Sequence, residues 1–205
     1  MQKTWIFPIA AAAGFLLACN MCGLGEMIQR LQEITEGDGG YTTPETSETW
    51  SEPDFEGFGL SLVLPDGWET LEYHPSEGPS EMEVTWIKFA HVDGLEATVT
   101  CIMAPEMFEG KTADEVAHYM VYAPDVEHPP TIDEGRITIS GIRGYEASYV
   151  MEEPGEGTCT YRYIALASKR QSRIFSIDFA RYDRKGFTSA DKREMKRFLD
   201  GVEID

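Results

Sequence analysis

The sequence predicts an α+β domain built as an antiparallel β-sheet covered by helices, and three observations carry that prediction. From residue 59 onward most segments alternate apolar and polar side chains, the period of two that suits a strand with one buried face. Two of these segments flank Asp93-Gly94, a strong hairpin signal that makes them antiparallel neighbours. Apolar residues recur at helical spacing in only two places within this region, so the order is strands, helix, a run of strands, helix. A parallel sheet would instead alternate strand and helix throughout.

Taken in order, Gly59 to Leu64 reads as a short strand stopped by the turn Pro65-Asp66-Gly67, with Trp68 immediately after it. Strands over 83–91 and 95–103 form the hairpin about Asp93-Gly94. Thr112-Ala113-Asp114-Glu115 is a capping box that opens a helix with Ala113, Val116, Ala117, Met120 and Val121 on one apolar stripe, ending before Pro124. Four strands follow over 135–139, 143–151, 158–168 and 172–181. Tyr145, Ala147, Tyr149 and Met151 share one face of their strand, as do Phe175, Ile177 and Phe179 of theirs. The last helix, 189–201, presents Met195, Phe198, Leu199 and Val202 to the sheet and Lys192, Arg193, Lys196 and Arg197 to water.

The 205 residues carry 17 Lys+Arg against 36 Asp+Glu, a net charge of −19 that repels phosphate backbones and excludes nucleic acid as a partner. Ahead of the domain, Lys3 precedes an uncharged run from Thr4 to Gly25, densest in apolar residues between Trp5 and Ala18. A basic end, an apolar run and then small residues make the layout of a secretory signal peptide. Its closing Leu16-Leu17-Ala18-Cys19 resembles the lipobox of bacterial lipoproteins. The resemblance implies cleavage after Ala18, diacylglyceryl transfer to Cys19 with further acylation such as palmitate, and an exported protein held on a bacterial membrane by its acyl chains. An uncut Thr4–Gly25 segment, able to span about 30 Å at roughly 1.5 Å per residue, is the other reading of the same run.

The chain thus divides into a signal peptide over 1–18, an acidic flexible tether over 19–58 and a globular domain over 59–205. In the tether Leu24, Met27, Ile28, Leu31 and Ile34 repeat at helical spacing, and from Glu36 to Glu56 the composition becomes that of a disordered, self-repelling spacer. In the domain, the leading strand into Leu64-Pro65-Asp66-Gly67-Trp68, the mid-chain helix, Ser140-Gly141-Ile142-Arg143-Gly144-Tyr145 between two strands and the terminal amphipathic helix together resemble the PsbP-like fold. Bacterial lipoproteins and DcrB-type proteins share that fold. The resemblance implies an α/β/α sandwich used for binding or assembly, usually without a catalytic centre, and it carries no functional residue onto this chain.

Chemistry is sparse in the sequence. His74, His91, His118 and His128 show no metal-ligand spacing, and Cys19-Asn20-Met21-Cys22 lacks the preceding strand of a redox motif. No nucleophile elbow, phosphate loop or dinucleotide fingerprint is present. Cys101 and Cys159 fall in strands of an exported domain, where a disulfide between them and a pair of separate buried thiols are both open. Asp133-Glu134 and Glu152-Glu153 offer carboxylates for weak Ca²⁺ binding, although no twelve-residue Ca²⁺ loop exists. Charge is uneven: residues 59–161 sum to −16 and residues 162–205 to +4. Lys169, Arg170, Arg173, Arg181, Arg184 and Lys185 either dock an acidic partner or anionic headgroups, or balance neighbouring acids. Tyr161 and Tyr163 alternate on one strand as core residues.

The expectation is a non-catalytic interaction or assembly module of the bacterial cell envelope, without cofactor, metal or catalytic residue. It is lipid-anchored through Cys19 on the extracytoplasmic side of a bacterial membrane, with another envelope protein as partner. A small-ligand or Ca²⁺-binding envelope lipoprotein, and an enzyme with an unrecognised site, stay open as alternatives.

Overall fold

The computed structural model describes residues 54–55, 58–74, 83–122, 131–153, 157–182 and 184–205. The signal peptide, Cys19, Cys22, His128 and all but a few residues of the expected tether lie outside them. In chain order the elements are β1 (Asp54–Phe55), β2 (Leu60–Leu62), β3 (Trp68–His74), β4 (Glu83–His91), β5 (Leu95–Met103), a 3-10 turn (Pro105–Phe108), α1 (Ala113–Tyr122), β6 (Thr131–Ile139), β7 (Ile142–Glu153), β8 (Gly157–Ser168), β9 (Arg173–Arg181), α2 (Ser189–Asp200) and β10 (Val202–Ile204). Among the described residues no helix is long and apolar enough to cross a membrane.

Seven strands form one antiparallel sheet in the order β3-β4-β5-β9-β8-β7-β6. The register places Phe89 opposite Ala97, Ala97 opposite Phe179, and Val99 opposite Ile177, so one face is a continuous apolar surface. α2 covers that face. Its Phe198, fully buried, meets the rings of Trp68, Phe89 and Phe179 at centroid distances of 4.7, 5.4 and 5.5 Å. The helix begins in a full capping box: Thr188 Oγ1 accepts from the Asp191 N–H, and the Asp191 carboxylate accepts from the Thr188 N–H.

The opposite face meets α1. Val116, Ala117 and Val121 are buried on that helix, His118 packs edge-on to Tyr145 at 4.9 Å, and the Tyr145 hydroxyl donates to Asp114. The expected Thr112–Glu115 box is formed at the helix start. The layers are therefore helix, sheet, helix, the α+β sandwich that the pattern of elements predicts.

Three strands were absent from the sequence reading: β3 is an edge of the large sheet, and β1 and β10 belong to a second, smaller sheet. β3 follows the Pro65-Gly67 turn directly, but a bulge between Thr70 and Glu72 breaks its alternation. β1 falls inside the span read as tether and pairs Phe55 with Leu60. Val202, read as the last residue of the helical stripe, instead starts β10, which pairs with β2 to complete the order β1-β2-β10. Leu60, Leu62, Val202 and Ile204 from this small sheet join the same core as Phe198.

Gly201 makes the exit from α2 into β10 possible. A Cβ built there would lie 2.2 Å from the Val63 carbonyl oxygen, while the Val63 N–H donates to the Gly201 carbonyl at 2.9 Å. Its φ of −88° is open to any residue, so the contact alone decides. Gly201→Ala is expected to cost about 1–3 kcal/mol through a forced backbone shift. Equilibrium urea unfolding checks this, and an unchanged midpoint would show that Val63 moves aside freely.

Candidate functional site

A groove of about 910 Å³ lies between α2 and the β6 side of the large sheet. β6 is the edge strand, and the register from Ile139↔Ile142 to Asp133↔Ser148 hangs it on β7 alone. Ile132, Ile137, Phe187 and Leu199 give the groove apolar walls, with Ile132 half exposed beside the bulge that begins β6. On the floor Arg162 Nε donates to Glu146 Oε2 at 2.8 Å, and both side chains are about four-fifths buried. Lys196 is tied to Asp200 one turn along α2. With these charges paired, Asp133 and Glu203 remain as free carboxylates and Lys192 as a free ammonium on the groove wall among the described residues, while Glu134, opposite Ala147, turns its side chain to the α1 face. The surface holds a negative excess and no arrangement of nucleophile and base.

The α1 face of the sheet contains a second polar feature. Across β4, β5, β9, β8 and β7 the register lines up Lys88, Thr98, Asp178, Tyr163 and Ala147. Lys88 is engaged by Glu96 at 2.8 Å. Asp178 has no ion pair among the described residues, and burial pushes its carboxyl up to about 8. Burial also drives the Tyr163 hydroxyl well above the usual tyrosine range; the nearby Asp178 charge adds to this, and a hydrogen bond with Ser176 works against it. The groove and Asp178 were both missed from sequence. The signal for Asp178 was present, since it alternates with Ile177 and Phe179 in a strand whose two faces must both be covered.

The residues singled out in the sequence are scattered. Cys101 and Cys159 are separate buried thiols, so the disulfide alternative is excluded. Cys101 shares a face with Val99 of β5 and Phe175 of β9, whereas Cys159 lies on the Tyr161 face of β8, and β9 runs between β5 and β8. Strands two places apart are separated by roughly 9–10 Å, beyond the roughly 7 Å limit for bridged Cα atoms. Burial raises the Cys101 thiol to about 12. His91 is buried against Trp68, its Nδ1 accepting from the Asp93 N–H at 3.2 Å, and its Nε2 lies 3.7 Å from Glu194. Asp133 and Glu134 sit on the exposed part of β6, and Glu152 accepts from the Thr158 hydroxyl. No group of side chains able to hold a metal occurs among the described residues.

Several of the C-terminal bases are engaged internally. Arg181 and Arg184 lie 3.9 and 3.7 Å from the buried Asp191, and Lys169 donates to the Lys111 carbonyl. Burial would raise the Asp191 carboxyl, but hydrogen bonds from Thr188 and the charges of Arg181 and Arg184 outweigh it and hold the group low. Tyr161 stacks on Tyr149 at 5.5 Å, as a core residue should.

Fold and groove together define an antiparallel α+β sandwich with an acidic, edge-strand groove. No protein-family model and no curated protein matches the chain. Among solved structures it is similar to a cyanobacterial PsbP from Synechocystis sp. PCC 6803, with a TM-score of 0.47 and 12% identity over 81% of this chain and 100% of that one. LpqN, a protein involved in cell envelope biogenesis of Mycobacterium tuberculosis, aligns with a TM-score of 0.40 and 12% identity over 71% of this chain and 82% of its own. A structure from Bacteroides thetaiotaomicron VPI-5482 aligns with a TM-score of 0.46 and 12% identity over 72% of this chain, which spans 45% of that protein.

Proposed function

We propose that this chain is a non-catalytic interaction module of the bacterial cell envelope, anchored to a membrane by acylated Cys19, that engages another envelope protein through the groove beside β6. The groove supports the interaction reading: it joins apolar walls to a strand that is an edge among the described residues and ties its floor charges off internally, as a protein-binding surface requires. Leu16-Leu17-Ala18-Cys19 supports the anchor. The test combines intact mass and metabolic palmitate labelling of the wild type and Cys19→Ala with a photo-crosslinker placed in living cells at Ile132 or, as a control, at the exposed Val92 of the β4–β5 turn. Cleavage before Cys19 with added acyl mass, and one identified envelope protein crosslinked from position 132 and not from 92, is the expected result. An uncut and unlipidated product overturns the anchor, and equal crosslinking from both positions overturns the groove.

A further inference from the structure

Resting on that reading, we infer that the segment of the partner held in the groove is an extended peptide bearing lysine or arginine between apolar residues, and that it adds to β6 as an eighth strand. The geometry of the β6–β7 hairpin decides which backbone groups are open to it. Ser140 and Gly141 have φ of 50° and 79°, the signature of a two-residue loop of the type I′ kind, and Ile139↔Ile142 is the pair that closes it. The closing pair of such a loop exchanges both backbone hydrogen bonds, and pairs then alternate between bonded and non-bonded along the ladder. Ile137 and Gly135 therefore point their N–H and C=O toward β7, while Thr138, Arg136 and Glu134 point theirs away from the sheet. At the hairpin end Ser140 Oγ exchanges hydrogen bonds with the Ile204 backbone, which leaves the stretch from Glu134 to Thr138 as the open edge among the described residues.

A strand added about 4.8 Å outside β6 places alternate side chains over the groove and against Ile137, Phe187 and Leu199. The charge on that rim selects among such strands. Among the described residues Asp133 and Glu203 stand free against one free ammonium, Lys192, so an acidic strand is repelled and a basic one is drawn in and held in register.

The test uses the full chain in detergent, ¹⁵N-labelled, with two synthetic probes: an alternating Lys-Val heptapeptide and its Glu-Val counterpart. Hydrogen exchange at the Glu134, Arg136 and Thr138 amides is expected to slow by at least about tenfold with the basic probe and not with the acidic one. Thr138→Pro removes one outward N–H without touching the β7 ladder, an edge position where proline is tolerated, and is expected to abolish this protection while the dispersion of the remaining amides is retained. The double change Asp133→Lys with Glu203→Lys is expected to weaken binding about tenfold without altering the fold. Equal protection by both probes, protection at other amides only, no protection, or a β6-mediated dimer of the chain in sedimentation each overturns the inference. The Ile132 crosslink separates the two levels. An adduct that persists without probe protection rejects strand addition alone, whereas protection by the probe with no cellular adduct rejects the envelope-partner reading.

Discussion

Phe198→Ala is expected to destabilise the fold by about 3–5 kcal/mol, the largest effect of any single truncation considered. The side chain is fully buried and is shared between three elements: Trp68 on β3, Phe89 on β4 and Phe179 on β9 all place rings within 5.5 Å of it. Truncation removes the transfer energy of a phenyl group and leaves a cavity whose walls are aromatic rings anchored in strands, so collapse around it is restricted. The neighbouring Leu199, half-buried at the groove wall, is the matched control, and Leu199→Ala is expected to cost roughly a third as much because part of its surface already meets solvent. Urea unfolding of both variants measures the difference. Equal losses would mean that α2 is docked by its whole apolar stripe and not through this ring cluster.

Stability should also fall as pH rises through the neutral range, with Asp178 as the cause. Its folded-state carboxyl is raised by burial from 3.8 to about 8, so across that window the folded state keeps a proton that the unfolded chain has released. The contribution is fully present below about pH 4, declines with a slope of at most about 1.4 kcal/mol per pH unit, and levels off above about pH 8. Lys88, the cation on the same row, is committed to Glu96 and does not relieve the buried charge. Asp178→Asn keeps the shape and removes the titration, so it is expected to flatten the slope and to raise stability above pH 8. Urea midpoints of the wild type and variant that track each other from pH 5 to 9 would show that the carboxyl ionises as an exposed one does.

Local patterns account for how much of the molecule was legible in the sequence. Asp93-Gly94 and its flanking alternation gave β4 and β5 with their observed bounds, and the Thr112 box and the Met195–Phe198 spacing gave the two helices, because each signal lies within a few residues of the structure it causes. β3 was hidden by one extra residue at its bulge, and β10 by being three residues long and following a helix whose stripe Val202 happens to continue. The groove is a different case. Its walls come from Ile132, Phe187, Leu199 and Glu203, side chains that acquire a common meaning only after the sheet order is known. The face on which a cysteine lies follows from register in the same way, which is why spacing left Cys101 and Cys159 open and the sheet separates them.

The small sheet has a consequence for how the chain assembles. Its central strand pairs Leu62 with Val202 and Leu60 with Ile204, partners at least 140 positions apart, while the hairpins of the large sheet close over a handful of residues. Bringing distant segments together costs more chain entropy than closing a turn, so such pairings come after local ones. The hairpins can zip as they are synthesised, whereas Leu60 and Leu62 have no strand to receive them on the β10 side until residues 202–204 have left the ribosome. β10 is in this sense a latch: three residues that follow every strand of the large sheet and complete the pairing of β2.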